Sequence, residues 1–156
     1  MTQLRLATTD TADITPMLEI DRRSFAWPWN RVFFTGELAA NQGCNFTLKY
    51  VDQTRAQKVI GYIICRLVKA ELHILRIAVK PQWRGRGLAK RLLARAFTQA
   101  AKKGAGSAFL EVRPSNQSAI ALYHRQGFRL IGKKPDYYTD TREDALVLMK
   151  NLKEDL

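Results

Sequence analysis

Arg84-Gly85-Arg86-Gly87-Leu88-Ala89 sits between a strand-like run, Leu75 to Val79, and a leucine-rich segment that starts at Leu88. A passage from strand through glycine turn to helix leaves unpaired backbone N–H groups and the positive end of the helix dipole at the turn. Both suit a phosphate-bearing ligand. Gly85 and Gly87 permit left-handed dihedrals and close backbone approach. Arg84, Arg86 and Lys90 add positive charge around the same point. An ordinary basic turn fits these residues equally well. The P-loop pattern GxxxxGK(S/T) is absent, and so is the third glycine of the dinucleotide-binding GxGxxG.

Two further residues can move protons. Glu111 stands in Phe109-Leu110-Glu111-Val112, an otherwise apolar run. A carboxylate there is costly unless it is paired, solvated or used. Strand alternation can point it at solvent; the functional alternative is a general base. Tyr123 lies in Ile120-Ala121-Leu122-Tyr123-His124, at a spacing that equally suits a core tyrosine or a general acid. His73 and His124 have no carboxylate partner or metal spacing in the sequence, so both are expected to be structural or exposed. Cys44 and Cys65 also lack metal spacing and are expected to be reduced thiols. No metal site is expected. Phe25-Ala26-Trp27-Pro28-Trp29 reads either as packing between two helices or as the wall of a substrate site.

These residues need a frame to hold them. The first strand is expected over Gln3 to Ala7. A helix follows through Ile14, Met17, Leu18 and Phe25, with Asp10, Thr11 or Asp13 as candidate caps. Asn30 can cap a second helix through Val32, Phe33 and Leu38, ending near Gly43. Phe46–Val51, Val59–Val68 and Glu71–Val79 form an antiparallel meander with turns at Gln53–Lys58 and Lys69-Ala70. Leu88 to Lys103 is an amphipathic helix with Leu88, Leu92, Leu93, Ala96, Phe97 and Ala100 on one face. Ala108–Val112 is a buried strand. Ser115 or Asn116 caps a helix to about Gln126, and Phe128–Gly132 and Ala145–Leu152 close the sheet. The order β-α-α-β-β-β-α-β-α-β-β implies an α/β fold (α+β), a mixed, mostly antiparallel sheet of six to seven strands with helices on both faces.

Composition narrows the class. The 156 residues, 46% of them apolar, fit one domain over 1–156. No apolar run reaches the roughly 20 residues of a membrane helix, and the N-terminal residues show no secretory pattern, so a cytoplasmic protein is expected. The net charge of +12 favours anionic partners, such as a polyphosphate cofactor or ribosomal RNA. A solvated basic surface with no partner would look the same.

Arg84 to Ala89 resembles the Q/R-x-x-G-x-G/A loop of the GNAT N-acetyltransferases, and the element order above is similar to that of the family over nearly the whole chain. The resemblance implies that Arg84, Gly85, Arg86, Gly87, Leu88, Ala89 and Lys90 hold the pyrophosphate of acetyl-coenzyme A. It also implies that Ile77, Ala78 and Val79 pair their backbone with the acetyl-pantetheine arm. Leu110-Glu111-Val112-Arg113, Ser115-Asn116, Ala119 to Tyr123 and Gly127-Phe128 resemble the ribosomal-protein-alanine N-acetyltransferase branch. That likeness implies Glu111 as proton acceptor, Tyr123 as proton donor and Asn116 as a coenzyme A contact. Tyr137-Tyr138 and Arg142 to Ala145 also look like that branch, where they border the peptide groove. The stretch Thr139-Asp140-Thr141 is shorter here than in the branch. Trp27, Pro28 and Trp29 are similar to the segment that receives the substrate's first residue in N-terminal acetyltransferases. The implied reaction is acetyl transfer to a protein N-terminus, most plainly the alanine of a ribosomal protein, in a ternary complex. The alternatives are a GNAT acting on a polyamine or aminoglycoside, and an RNA- or ribosome-binding module without catalysis.

Overall fold

The computed structural model describes residues 3–40 and 44–153. Seven strands and four α-helices occur among them, in the order the hydrophobic pattern predicts. Strands β1 (Gln3–Thr8), β2 (Phe46–Val51), β3 (Gln57–Val68) and β4 (Glu71–Val79) form an antiparallel meander. Strand β5 (Ser107–Val112) joins β4 in parallel, and β7 (Ala145–Asn151) runs antiparallel between β5 and the edge strand β6 (Arg129–Lys134).

Two apolar clusters lie on opposite faces of this mixed sheet. One gathers Ile14, Met17, Leu18 and Ile20 of helix α1 (Ile14–Ser24) and Phe34 of helix α2 (Arg31–Ala40) against Tyr62, Ile64 and Ala78. The other gathers Leu88, Leu92, Leu93, Ala96 and Ala100 of helix α3 (Leu88–Lys102) and Tyr123 of helix α4 (Gln117–Arg125) against Ile60, Ile63, Leu72 and Leu110. The apolar stripe read in α3 is therefore its buried face. Truncating a fully buried leucine such as Leu92 or Leu93 to alanine costs about 2–5 kcal/mol.

Local chemistry sets the element ends. Asp10 forms a capping box with Asp13 across a 3-10 turn (Thr11–Asp13) that leads into α1. The Asn30 side chain accepts from the Phe33 N–H and starts α2; the end expected near Gly43 lies outside the described residues. Strand β3 starts at Gln57, inside the expected turn. The last hairpin begins at Arg129, with Phe128 buried ahead of it, and β6 continues to Lys134. Cys44 and Cys65 are both buried thiols.

One break in the sheet decides where a ligand can sit. β4 and β5 pair only over Glu71–His73 and Ser107–Phe109. Just past His73 the β3–β4 register skips Leu75, a bulge that bends β4 and sharpens its twist. The remainder of β4, through Val79, separates from Leu110–Val112 and leaves an open edge in mid-sheet.

Candidate active site

Beyond the point of divergence the two strands frame a cleft of about 830 Å³. Ile77, Ala78, Val79, Arg84, Ala89, Glu111, Asn116, Tyr123, Trp27, Trp29, Tyr137 and Tyr138 all line it. Gly85, Arg86, Gly87, Leu88, Lys90 and Pro28 do not. Leu88 turns its side chain into the core and can offer a ligand only its backbone.

The β4 edge presents its groups by alternation. The Lys80 N–H donates to the Ile60 carbonyl at 2.7 Å, so Lys80 and Ala78 face β3 while Ile77 and Val79 face the cleft. Arg84 Nε donates to the Val79 carbonyl at 2.9 Å, and Arg84 Nη2 donates to Ser24 Oγ at 3.0 Å. Arg84 thus ties the glycine loop to β4 and α1. What β4 still offers the cleft is the Val79 N–H and both polar groups of Ile77.

Gly85 (φ 77°) and Gly87 (φ 74°) are both left-handed, and Gly87 is the N-cap of α3. Gly87 has no side chain to satisfy the first turn. The earliest helical bond returns from the Arg91 N–H to the Gly87 carbonyl, so the N–H groups of Leu88, Ala89 and Lys90 precede the helical ladder. An added Cβ at either glycine would meet open space, so these glycines are required by conformation and not by crowding.

Glu111 projects from β5 into the widened gap, with its side chain 7% exposed. Its Oε2 lies 2.6 Å from His73 Nε2, and its Oε1 accepts from Lys134 Nζ at 2.6 Å. Burial raises the carboxyl pKa, but the hydrogen bonds and charges of His73 and Lys134 outweigh it and hold the group at about 2. Lys134 is raised in return, chiefly by its hydrogen bond to Glu111. The expectation that His73 lacks a partner is corrected: the carboxylate partner comes from a strand 38 residues away. Lys134 also went unrecognised in the sequence. The costly carboxylate in an apolar run was the one available signal that cations must gather around it.

Tyr123 is 7% exposed and sits edge-on to Phe128, with ring centroids 5.5 Å apart. Burial, with the negative charge potential of Cys65 and Tyr138 beside it, pushes its hydroxyl well above the usual phenol value. The hydroxyl therefore stays protonated at neutral pH and has a proton to donate. Asn116 caps α4, its Oδ1 accepting from the Ala119 N–H at 3.3 Å.

Two aromatic segments border the cleft. On one side, Asp21 is fully buried and accepts from Arg76 Nε and Nη2, each at 2.9 Å, and from the Trp29 N–H at 2.6 Å. The Tyr62 hydroxyl donates to the same carboxylate. The Arg76 guanidinium lies 3.5 Å from the Phe25 ring centroid and donates to the Trp27 carbonyl at 3.1 Å. This network pins Phe25–Trp29 to β4. Sequence patterning held a clue: Asp21 follows Met17 by four residues and Leu18 by three, on the buried face of α1. On the other side, Arg113 pairs bidentately with Asp140 at 2.8 and 3.0 Å and lies 3.9 Å from the Tyr138 ring centroid. Ser115 Oγ donates to Glu143 at 3.1 Å, so the Tyr137–Glu143 segment is clamped to the β5–α4 turn. Burial pushes the Tyr138 hydroxyl up to about 12, against the opposing pull of Arg113.

An open strand edge feeding an uncapped helix N-terminus, with a carboxylate and a tyrosine between them, is the arrangement expected for a thioester donor carrying a pyrophosphate. The sequence profile of the acetyltransferase (GNAT) family matches residues 14–128. The chain belongs to the GNAT acetyltransferases. As a GNAT protein it is an acetyl-coenzyme A-dependent N-acetyltransferase. It is 34% identical to the [ribosomal protein bS18]-alanine N-acetyltransferase of Escherichia coli K12 over 148 residues, 92% of this chain and 94% of that one. The corresponding protein of Haemophilus influenzae is 33% identical over 143 residues, 89% of this chain and 92% of its own. The crystal structure of the ribosomal-protein-S18-alanine N-acetyltransferase from Escherichia coli superposes with a TM-score of 0.81 at 30% identity, covering 96% of this chain and 94% of the other. In fold alone, this GNAT chain also resembles Arabidopsis thaliana NAA60 in complex with acetyl-CoA (TM-score 0.83, 18% identity).

Proposed function

We propose that this acetyltransferase modifies the α-amino group of a protein N-terminus, and that its acceptor is a ribosomal protein beginning with alanine. The observation that carries the reading is that Trp27, Trp29, Tyr137 and Tyr138 line the same cleft as Glu111, as aromatic walls suited to a chain end. The likeness to bS18-alanine N-acetyltransferases supports the alanine and the ribosomal protein. Such a substrate places the enzyme in the cytoplasm, where its basic surface can also face ribosomal RNA.

The residues fit acetyl-coenzyme A, which brings an acetyl group already activated as a thioester. The N–H groups of Leu88, Ala89 and Lys90 receive the pyrophosphate, with Arg86 and Lys90 adding charge and the left-handed Gly85 and Gly87 shaping the turn. Ile77 and Val79 pair with the amide-bearing arm, while Ala78 holds the strand to β3. A cleft-facing N–H on this edge polarises the carbonyl under attack. Asn116 lies beside the same arm. Glu111 draws a proton off the incoming ammonium. Tyr123, held protonated, donates to the departing sulfur.

The polyamine alternative needs free carboxylates near the acceptor. Asp140 and Glu143 are engaged by Arg113, and Asp144 accepts from the Asp136 N–H, so the local acidic run is largely committed. Single-turnover acetylation of an alanine-initiated peptide is the test. Glu111→Gln and Tyr123→Phe are each expected to lower the rate about 10²-fold or more. Wild-type rates in both would remove these roles, and faster turnover of spermidine than of the peptide would remove the acceptor.

A further inference from the structure

Asp21 is fully buried in an ion pair, yet the chemistry proposed above does not use it. Each of its oxygens accepts twice: Arg76 Nε and the Tyr62 hydroxyl donate to Oδ1, Arg76 Nη2 and the Trp29 N–H to Oδ2. Burying two charges is costly, and packed apolar side chains of similar volume often join two elements as firmly as a buried ion pair does. Stability alone therefore does not account for the pair. Its bonds carry direction, which apolar packing lacks.

Those bonds converge on residues 25–30, which lie between α1 and α2 and outside both helices. Asp21 holds the Trp29 N–H, and Arg76 Nη2 holds the Trp27 carbonyl. The guanidinium lies 3.5 Å from the Phe25 ring centroid and 5.2 Å from that of Trp29. The contacts close on themselves. Trp29 packs on Phe34 with centroids 5.1 Å apart, Phe34 packs on Tyr62 at 5.6 Å, and the Tyr62 hydroxyl returns to Asp21. Trp27 is 62% exposed, so burial does not hold its ring and its backbone bond sets its place. Arg76 also lines the cleft and stands one residue before Ile77, whose main chain is proposed for the donor arm. One strand thus carries the anchor of the aromatic wall beside the donor edge.

We propose that Asp21 and Arg76 are positioning residues for the acceptor. The pair holds Phe25, Trp27 and Trp29 in place for the first residue of the incoming chain, and leaves donor binding and proton transfer to other groups. Asp21 neutralises the cation and aromatic rings cover it, so the wall takes an uncharged first side chain. This rests on the reading of the acceptor as a protein N-terminus.

Asp21→Asn and Arg76→Gln each remove one charge and keep a hydrogen-bonding amide. With an alanine-initiated peptide, both are expected to raise the acceptor KM about tenfold or more, to hold kcat within about threefold and to leave the KM for acetyl-coenzyme A unchanged. Their selectivities should part. The preference for an alanine- over a lysine-initiated peptide widens in Asp21→Asn, which leaves the cation uncompensated, and narrows in Arg76→Gln, which leaves the anion. Loss of structure alone would not move the two in opposite directions. Arg76→Lys restores the charge but not the bidentate fork, so it should keep the wild-type preference and not the wild-type acceptor KM. An unmoved acceptor KM in all three overturns the proposal. So does a shared loss of turnover and acetyl-coenzyme A binding that follows the melting temperature. Where a variant does not fold, indole N–H NMR of the wild type with coenzyme A bound supplies the reading. The Trp27 and Trp29 signals are expected to shift as peptide is added, and stationary signals overturn the proposal. Failure of the protein-acceptor reading looks different: the wild type itself would then acetylate spermidine and no peptide.

Discussion

The ionised Glu111 carboxylate, held between His73 and Lys134, ties folding to pH. Its folded-state carboxyl sits at about 2 against an ordinary 4.5, so the ionised form favours the folded protein. The stabilisation is whole above about pH 4.5 and is lost as the pH falls toward about 2. Its upper size is about 3 kcal/mol, reduced because Lys134 is 48% exposed and partly screened. Glu111→Gln should therefore lose less stability than the wild type between about pH 5 and about pH 2.5. Urea midpoints at intervals across that range check this, and parallel losses would remove the linkage. At this scale Glu111 was legible because a carboxylate in an apolar strand demands a reason. His73 and Lys134 were not. Each reaches Glu111 through strand pairing, and a parallel register between β4 and β5 leaves no mark on local spacing. Arg84 was legible as a charge near the phosphate turn, yet its guanidinium is spent on the Val79 carbonyl and Ser24.

At the scale of elements, the glycine turn joins β4 to α3 in a geometry that side chains resist. Gly87 is both left-handed and the helix N-cap. Gly87→Ala should cost about 1–2 kcal/mol of stability and weaken acetyl-coenzyme A binding, since the strained turn can relax by moving the N–H groups proposed to receive the phosphates. Calorimetric titration with acetyl-coenzyme A, alongside a thermal melt, measures both; unchanged affinity would place the phosphates elsewhere. The existence and order of all these elements were readable, because α3 has an unbroken helical stripe and the strands end at turn-forming residues. The bulge at Leu75 was not. Nothing in Ile74-Leu75-Arg76 differs from regular strand sequence, and the skip is fixed by pairing with Ile64 and Cys65. Asp21 is marked by its place on the buried face of α1, but Arg76 as its partner is not, since the pair needs α1 laid across β4.

For the molecule as a whole, the net charge of +12 is unevenly placed along the chain. Between Glu71 and Glu111 there is no acidic residue, while Arg76, Lys80, Arg84, Arg86, Lys90, Arg91, Arg95, Lys102 and Lys103 all fall there. That stretch carries the glycine turn and the first turn of α3, so Arg84, Arg86, Lys90 and Arg91 fall close in sequence to the proposed phosphate site. The KM for acetyl-coenzyme A should rise severalfold from about 0.05 M to about 0.3 M salt, while kcat changes little. Steady-state kinetics over that range test it, and a salt-independent KM would mean that the basic surface serves some other partner.

The gap between β4 and β5 has a consequence for the resting enzyme's own motions. Ile77 and Val79 turn main-chain amides toward a neighbour strand that is not there, so their protons are open to exchange with solvent while those of Ala78 and Lys80 are shielded by β3. Acetyl-coenzyme A bound along this edge would act as a borrowed strand. Amide hydrogen exchange should then alternate residue by residue along β4 in the free protein, and the alternation should flatten when the donor is bound. The enzyme would be an incomplete sheet that its own substrate finishes.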